Sequence, residues 1–191
     1  MAQRLYAQSL PLTTTVSAGS PVVRQGDPCV RAWIVMTGAL IERAVSPDGR
    51  ILIPRLPGPG DLVGGTDGWP SPLSVIALRR TTLRPAGARD LEAGLAARER
   101  ETLSFAADLA WLDTTTTIEH RLRQLAERFG RHVPGGTAVG ITLTQEELGA
   151  FAGTTRESAN RAVRELRRRG SIGRLARGRY LVRTSLQPVD A

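Results

Sequence analysis

Residues 143–169 read LTQEELGAFAGTTRESANRAVRELRRR, and this stretch decides the fold. Thr144 is a favourable N-cap, because its hydroxyl accepts from the free N–H groups of a first helical turn. Glu147, three residues on, completes a capping box. Leu148, Phe151 and Ala152 give the short helix an apolar face. Gly153 supplies the stop, since a left-handed residue there carries no Cβ strain. Thr154 or Thr155 caps a second helix with an apolar stripe of Ala159, Ala162, Val163 and Leu166. Its other face carries Arg156, Glu157, Asn160, Arg161, Arg164, Arg167 and Arg168. Two capped helices joined by a glycine turn predict a helix–turn–helix.

The polar face has the chemistry of base reading. An arginine can donate two bonds to guanine O6 and N7, and a glutamate can accept from cytosine N4. Arg156 and Glu157 stand at the N-terminal end, which enters the major groove in this motif. The bland alternative is a solvated basic face. Charge placement weighs against it. The formal net charge is +8, every basic residue is Arg, and residues 155–183 hold ten Arg against Glu157 and Glu165, which accounts for the whole excess. A localised basic patch favours a nucleic-acid partner.

Beyond this helix pair, Gly170 ends the second helix. Residues 171–175 and 179–183 read as two strands around Ala176-Arg177-Gly178, a β-hairpin wing. Arg174, Arg177 and Arg179 suit phosphates flanking a groove, or a wing packed on its own domain with solvated arginines. Residues 187–191 read as a frayed tail.

The segment Gly153-Thr154-Thr155-Arg156-Glu157-Ser158 with Arg161 resembles the DNA-binding signature of the catabolite activator superfamily, the cyclic AMP receptor and fumarate–nitrate (Crp/Fnr) regulators. The resemblance implies that Arg156, Glu157 and Arg161 read the bases of a TGTGA-like half-site. Thr144, Gln145, Thr155, Ser158, Arg164 and the wing arginines Arg174, Arg177 and Arg179 are then expected mostly at phosphates.

Residues 21–85 alternate short apolar runs with Gly, Pro and Asp breakers. The runs are 21–23, 32–36, 39–41, 51–53 and 74–78, and Ser46-Pro47-Asp48-Gly49 is a hairpin signal. Such spacing predicts a small antiparallel barrel or jelly roll. Gln25-Gly26-Asp27, Trp33 to Gly38 and Pro59 to Gly64 resemble the same family's sensor domain in order and spacing. Residues 1–20 read as a lead-in of limited structure.

The nucleotide site is where the resemblance breaks. Cyclic-nucleotide members carry a Glu at the position of Gly65 and an Arg-Ser or Arg-Thr pair at the position of Leu73-Ser74. A buried cyclic phosphate needs a cationic partner, and residues 66–72 contain no Arg. The expectation is therefore no cofactor and no cyclic AMP. Cys29 is the single cysteine, which excludes a disulfide framework and a multi-cysteine cluster within one chain. It reads as an ordinary buried small residue. His120 and His132 lie outside the barrel segment and read as exposed helix and loop residues. A metal-dependent cupin-like enzyme would need a ligand cluster on the barrel, and residues 21–85 contain no His, so no metal site and no enzyme are expected.

From Asp90 to about Arg131 the pattern is helical. Leu91, Leu95, Thr102, Phe105, Leu109, Leu112 and Thr116 fall close to a heptad seam. A helix with apolar faces on two sides can pack on its own domain and on a partner. The resemblance implies a two-fold dimer interface here, expected at Leu95, Thr102, Phe105, Leu109, Leu112 and Thr116; a single long core helix in a monomer is the alternative. Asp113 or a following Thr caps a new helix over 118–129, and residues 130–140 read as a loop. In some family members the matching loop touches RNA polymerase.

The expected architecture is α+β, with a β-roll over 1–89, a dimerisation helix and hinge over 90–117 and a winged helix–turn–helix over 118–191. The expected function is a homodimeric transcription regulator, an activator, binding double-stranded DNA at a palindrome without cyclic AMP. Gating by an unrelated small ligand, or non-specific architectural DNA binding, are the alternatives. The N-terminus lacks a signal-peptide core, and no apolar run is long enough to span a membrane, so a cytoplasmic protein is expected.

Overall fold

A computed structural model describes residues 13–175 and 179–183. They form two compact units, one from residues 13–50 and 55–102, the other from 51–54, 103–175 and 179–183.

Residues 13–85 form two antiparallel sheets. One has the order β1-β8-β3-β6, with β1 (Thr14–Val16), β3 (Ala32–Thr37), β6 (Leu62–Gly64) and β8 (Thr81–Pro85). The other has the order β2-β7-β4-β5, with β2 (Pro21–Val23), β4 (Leu40–Val45), β5 (Ile51–Arg55) and β7 (Ser74–Ala77). Alternate residues of both sheets meet in one core of Val35, Leu40, Val63, Val75, Ala77 and Leu83, the period-two burial of a sandwich. The 46–49 turn forms as expected: Gly49 has φ +82° and donates to the Ser46 carbonyl at 2.9 Å.

Three strands of these two sheets went unread in the sequence. The stretch read as a lead-in contains β1, whose Thr14 and Val16 pair with Leu83 and Thr81. Three residues are too few for alternation to register, so the partner strand specifies it. β6 and β8 were hidden by flanking glycines and by Arg79-Arg80.

A buried ion pair marks the first unit. Glu42 on β4 and Arg55 on β5 lie 3.2 Å apart with side chains 1% and 4% exposed. Burial pushes the Glu42 carboxyl up, opposed by Arg55 and then Arg98. Arg55 also donates to Glu101 at 2.5 Å, which supplies a second counter-charge at the same guanidinium.

Helix α1 (Ala88–Trp111) opens with a bidentate pair: Arg84 donates to both carboxylate oxygens of Asp90 at 2.7 Å. Its residues to Thr102 belong to the first unit, and Leu103 onward to the second.

In the second unit, Asp113 caps α2 (Thr114–Phe129) by accepting from the backbone N–H of Thr115 and Thr116. The helix thus starts four residues before the expected Ile118, because the β-branched threonines fit a first turn whose free N–H groups the aspartate satisfies. Ile118, Leu122 and Leu125 of α2 are buried with Leu148 of α3 (Gln145–Phe151) and with Ala159 and Leu166 of α4 (Arg156–Arg168).

Residues 130–140, expected as a loop, are instead a hairpin of β9 (Gly130–Val133) and β10 (Gly136–Val139). Gly135 at φ +85° closes the turn, and Ala138 and Val139 of β10 are both buried. β10 then pairs with β12 (Tyr180–Val182), and β12 with β11 (Ile172–Arg174). The wing is therefore half of a four-stranded sheet ordered β11-β12-β10-β9. Among the described residues, no helix is long and apolar enough to cross a membrane.

Candidate nucleic-acid interface

The helix pair is set by its caps. Thr144 accepts from the Glu147 N–H at 3.1 Å, and Glu147 returns a bond from the Thr144 N–H at 2.8 Å. The turn closes when the Thr154 N–H donates to the Gly149 carbonyl at 2.8 Å. Gly153 sits there at φ +62°, and a Cβ on it would come 2.3 Å from Cδ2 of Leu109. Thr155 caps α4 by accepting from Ser158 N–H at 3.2 Å.

With Ala159, Ala162, Val163 and Leu166 turned inward, the remaining face of α4 is solvent-exposed and basic. Arg156, Glu157 and Arg161 are all exposed and lie within its first two turns. Arg161 donates to the Ser158 hydroxyl at 2.9 Å. Arg156, Glu157, Arg164 and Arg167 have no side-chain partner among the described residues. Arg168 and Arg169 are committed elsewhere: both donate to Glu165, at 2.9 and 2.6 Å. Those bonds, with Arg168 the stronger, hold the Glu165 carboxyl down at about 2. The helix thus leaves Arg156, Arg164 and Arg167 free, whereas Arg168 and Arg169 are tied to Glu165. The N-terminal end of the dipole adds partial positive charge where an anion would approach.

The expected phosphate contacts are placed unevenly. Thr144 and Thr155 use their hydroxyls as caps. Gln145 donates from Nε2 to the Tyr180 hydroxyl at 2.6 Å, which ties α3 to the wing strand. Arg174 is exposed, whereas Arg179 is half-buried with its Nε shielded from solvent. Arg177 lies outside the described residues.

Along α1, Leu95, Thr102 and Leu109 are exposed, and Leu103 and Trp111 beside them are 63% and 83% exposed. Just beyond, Leu112 is half-buried, and Thr116, in the first turn of α2, is exposed. Phe105 differs: it is buried and turned onto its own chain, under the Arg121 guanidinium at 4.8 Å from the ring centroid.

Sequence reasoning missed what surrounds Arg121. Its guanidinium also lies 5.2 Å from the Phe151 ring of α3. Its Nη2 is 3.1 Å from the buried Asp108 carboxylate, and Nη1 donates to Gln124 at 2.9 Å. Burial lowers the Arg121 pKa, offset in part by Asp108. His120, expected to be exposed, is half-buried, with Nδ1 3.0 Å from the same Asp108 oxygen. The signal lay in Phe105 and Asp108, three apart on one helix face, but a buried charge has no periodic signature.

Residues 118–186 match the family described as Crp-like helix-turn-helix domain. The chain is 31% identical over 171 residues to the CRP-like cAMP-activated global transcriptional regulator of Mycobacterium tuberculosis, covering 81% of this chain and 76% of that protein. It is 26% identical over 172 residues to the nitrogen fixation regulation protein FixK of Rhizobium meliloti, covering 84% and 78%. Among solved structures, it is similar to TTHA1359, a transcriptional regulator of the CRP/FNR family from Thermus thermophilus, with a TM-score of 0.79, 25% identity, and 90% and 93% of the two chains covered.

Proposed function

This chain belongs to the Crp/Fnr family of DNA-binding transcription regulators, and from that premise we propose that it reads a palindromic TGTGA-like site as a homodimer without cyclic AMP. The observation that carries the base readout is the capped, solvent-exposed start of α4, where Arg156 and Glu157 stand without side-chain partners among the described residues. Arg156 and Arg161 have the donors for guanine, and Glu157 the acceptor for cytosine. Arg164, Arg174 and Arg167 serve phosphates. A dimer presents two α4 helices to half-sites whose centres lie roughly 34–36 Å apart. Leu95, Leu103, Leu109 and Trp111, exposed along α1, supply the apolar surface such a dimer would cover. Activation through RNA polymerase, by the β9–β10 hairpin, belongs to the same reading and rests on family resemblance.

Independence from cyclic AMP, the named activator of the M. tuberculosis relative, rests on the β-roll. A cavity of about 360 Å³ there has Leu62, Leu73, Val75, Leu91 and Leu95 among its walls, with Arg98 as the one cation among the described residues that line it. Arg98 donates to the Gly64 carbonyl at 3.2 Å and lies 3.9 Å from the buried Glu42, so its charge is already shared with a carboxylate. Gly65 stands where cyclic-nucleotide members carry the ribose-binding glutamate, and a Cβ there would sit a tight 3.2 Å from Cβ of Cys29. Ser74 already accepts from the Gln25 N–H at 3.0 Å.

The test is Arg156→Ala measured against a panel of single-base variants of a palindromic TGTGA-like site. The variant should lose about 1–3 kcal/mol at one base position and become indifferent to that base. Equal weakening on every sequence would contradict the assignment.

A further inference from the structure

We propose that Asp108 and Arg121 are positioning residues that lock the last turns of α1 to the helix–turn–helix, so that the helix carrying the dimer seam dictates the spacing of the two recognition helices. This rests on the dimeric, palindrome-reading function above and deepens it.

Three observations converge. Arg121, 3% exposed, lies between Phe105 of α1 and Phe151 of α3, with centroid distances of 4.8 and 5.2 Å. Asp108 of α1, also buried, faces it at 3.1 Å as an ion pair. One side chain of α2 therefore grips both the helix before it and the first helix of the reading motif. Second, Leu109, the neighbour of Asp108, rests on Gly153 in the turn between α3 and α4. Third, the boundary between the two compact units falls inside α1, at Leu103, and not at the Asp113 cap between α1 and α2.

A guanidinium taken out of water costs more than an apolar side chain of the same size, and a buried ion pair is weak evidence for stability. The best-attested use of such a pair is to specify one arrangement among several. Here the polar and aromatic groups that surround Arg121 come from three different helices, and they meet only when α1, α2 and α3 hold this arrangement. The Asp108 oxygen and Nη2 of Arg121 are at ion-pair distance without hydrogen-bond alignment. The two rings supply the rest of the fit, as faces for a desolvated cation.

Unlatched, α2 and the reading motif would pivot about the short 112–113 connection while each recognition helix kept its own half-site contacts. The experiment uses the full chain carrying Asp108→Leu with Arg121→Met, which replaces the pair by apolar groups of similar size. Binding is measured to a single half-site, and to palindromes with the spacer lengthened or shortened by one base pair. The parent should lose about tenfold or more in affinity on a one-base-pair change, because half-site geometry is fixed by the two-fold. The double variant should hold the single half-site as the parent does, with circular dichroism and melting temperature preserved, but lose most of the spacing penalty.

If the double variant does not fold, Asp108→Asn decides by the same assay, since it keeps the shape and removes the counter-charge. Retention of the parent's spacing penalty in a folded variant overturns the latch. Failure of the parent itself to prefer a palindrome overturns the dimeric reading, and the latch with it.

Discussion

At the scale of single residues, charged groups in this protein divide between those that hold structure and those left free. Asp90 and Glu165 belong to the first kind. Two bonds from Arg84, then one from the Gly87 N–H, hold the Asp90 carboxyl at about 2 against an ordinary 3.8. A carboxylate whose folded pKa is depressed stabilises the fold above its unfolded pKa, and that contribution disappears as pH falls through the folded value. Asp90→Asn should therefore lower the melting temperature of the parent at pH 6. The gap should narrow below about pH 4 and close near pH 2, as a pH series of thermal melts would show. A gap that persisted at pH 2 would mean the pair acts through packing. Arg156 and Glu157 are of the second kind, and their position at the start of α4 was legible because it follows from the cap at Thr155. Arg121 could not be read that way. Only three helices packed together bury it.

At the scale of elements, the helix–turn–helix was the most legible part of the chain, because caps and glycine stops are local chemistry. Gly153 combines two demands: φ +62°, and a Cβ direction blocked by Leu109. Gly153→Ala should destabilise the protein by about 1–2 kcal/mol from the left-handed backbone alone. A thermal or denaturant melt would measure it. Leu109→Ala in the same chain should relieve the steric part and leave the backbone part, so the two changes should not add. Strict additivity would show that Leu109 does not rest on this turn. The β9–β10 hairpin was illegible for the opposite reason. Its glycines read as loop, and the order of residues 136–139 depends on pairing with β12, more than forty residues away. The short β1 and β6 were hidden likewise, because three-residue strands take their register from their partners.

At the scale of the whole molecule, the chain joins a β-roll unit with a crowded, apolar cavity to a DNA-binding unit whose basic charge is concentrated at one helix and wing. The order of the two parts was evident in the sequence, from a period-two region of short strands to a helical seam and then the capped helix pair. The boundary inside α1 was not, because a 24-residue helix shows no break at the residue where its packing partners change. The central claim is that this regulator recognises a palindrome unaided by cyclic AMP. The measurement that tests it most directly is selection of binding sites from random duplexes by the purified full chain, with no small molecule added and at a fixed salt concentration, since phosphate contacts make affinity salt-dependent. The predicted result is enrichment of a two-fold palindrome with TGTGA-like half-sites, unchanged when cyclic AMP is supplied. Absence of enrichment until cyclic AMP is added would contradict the claim.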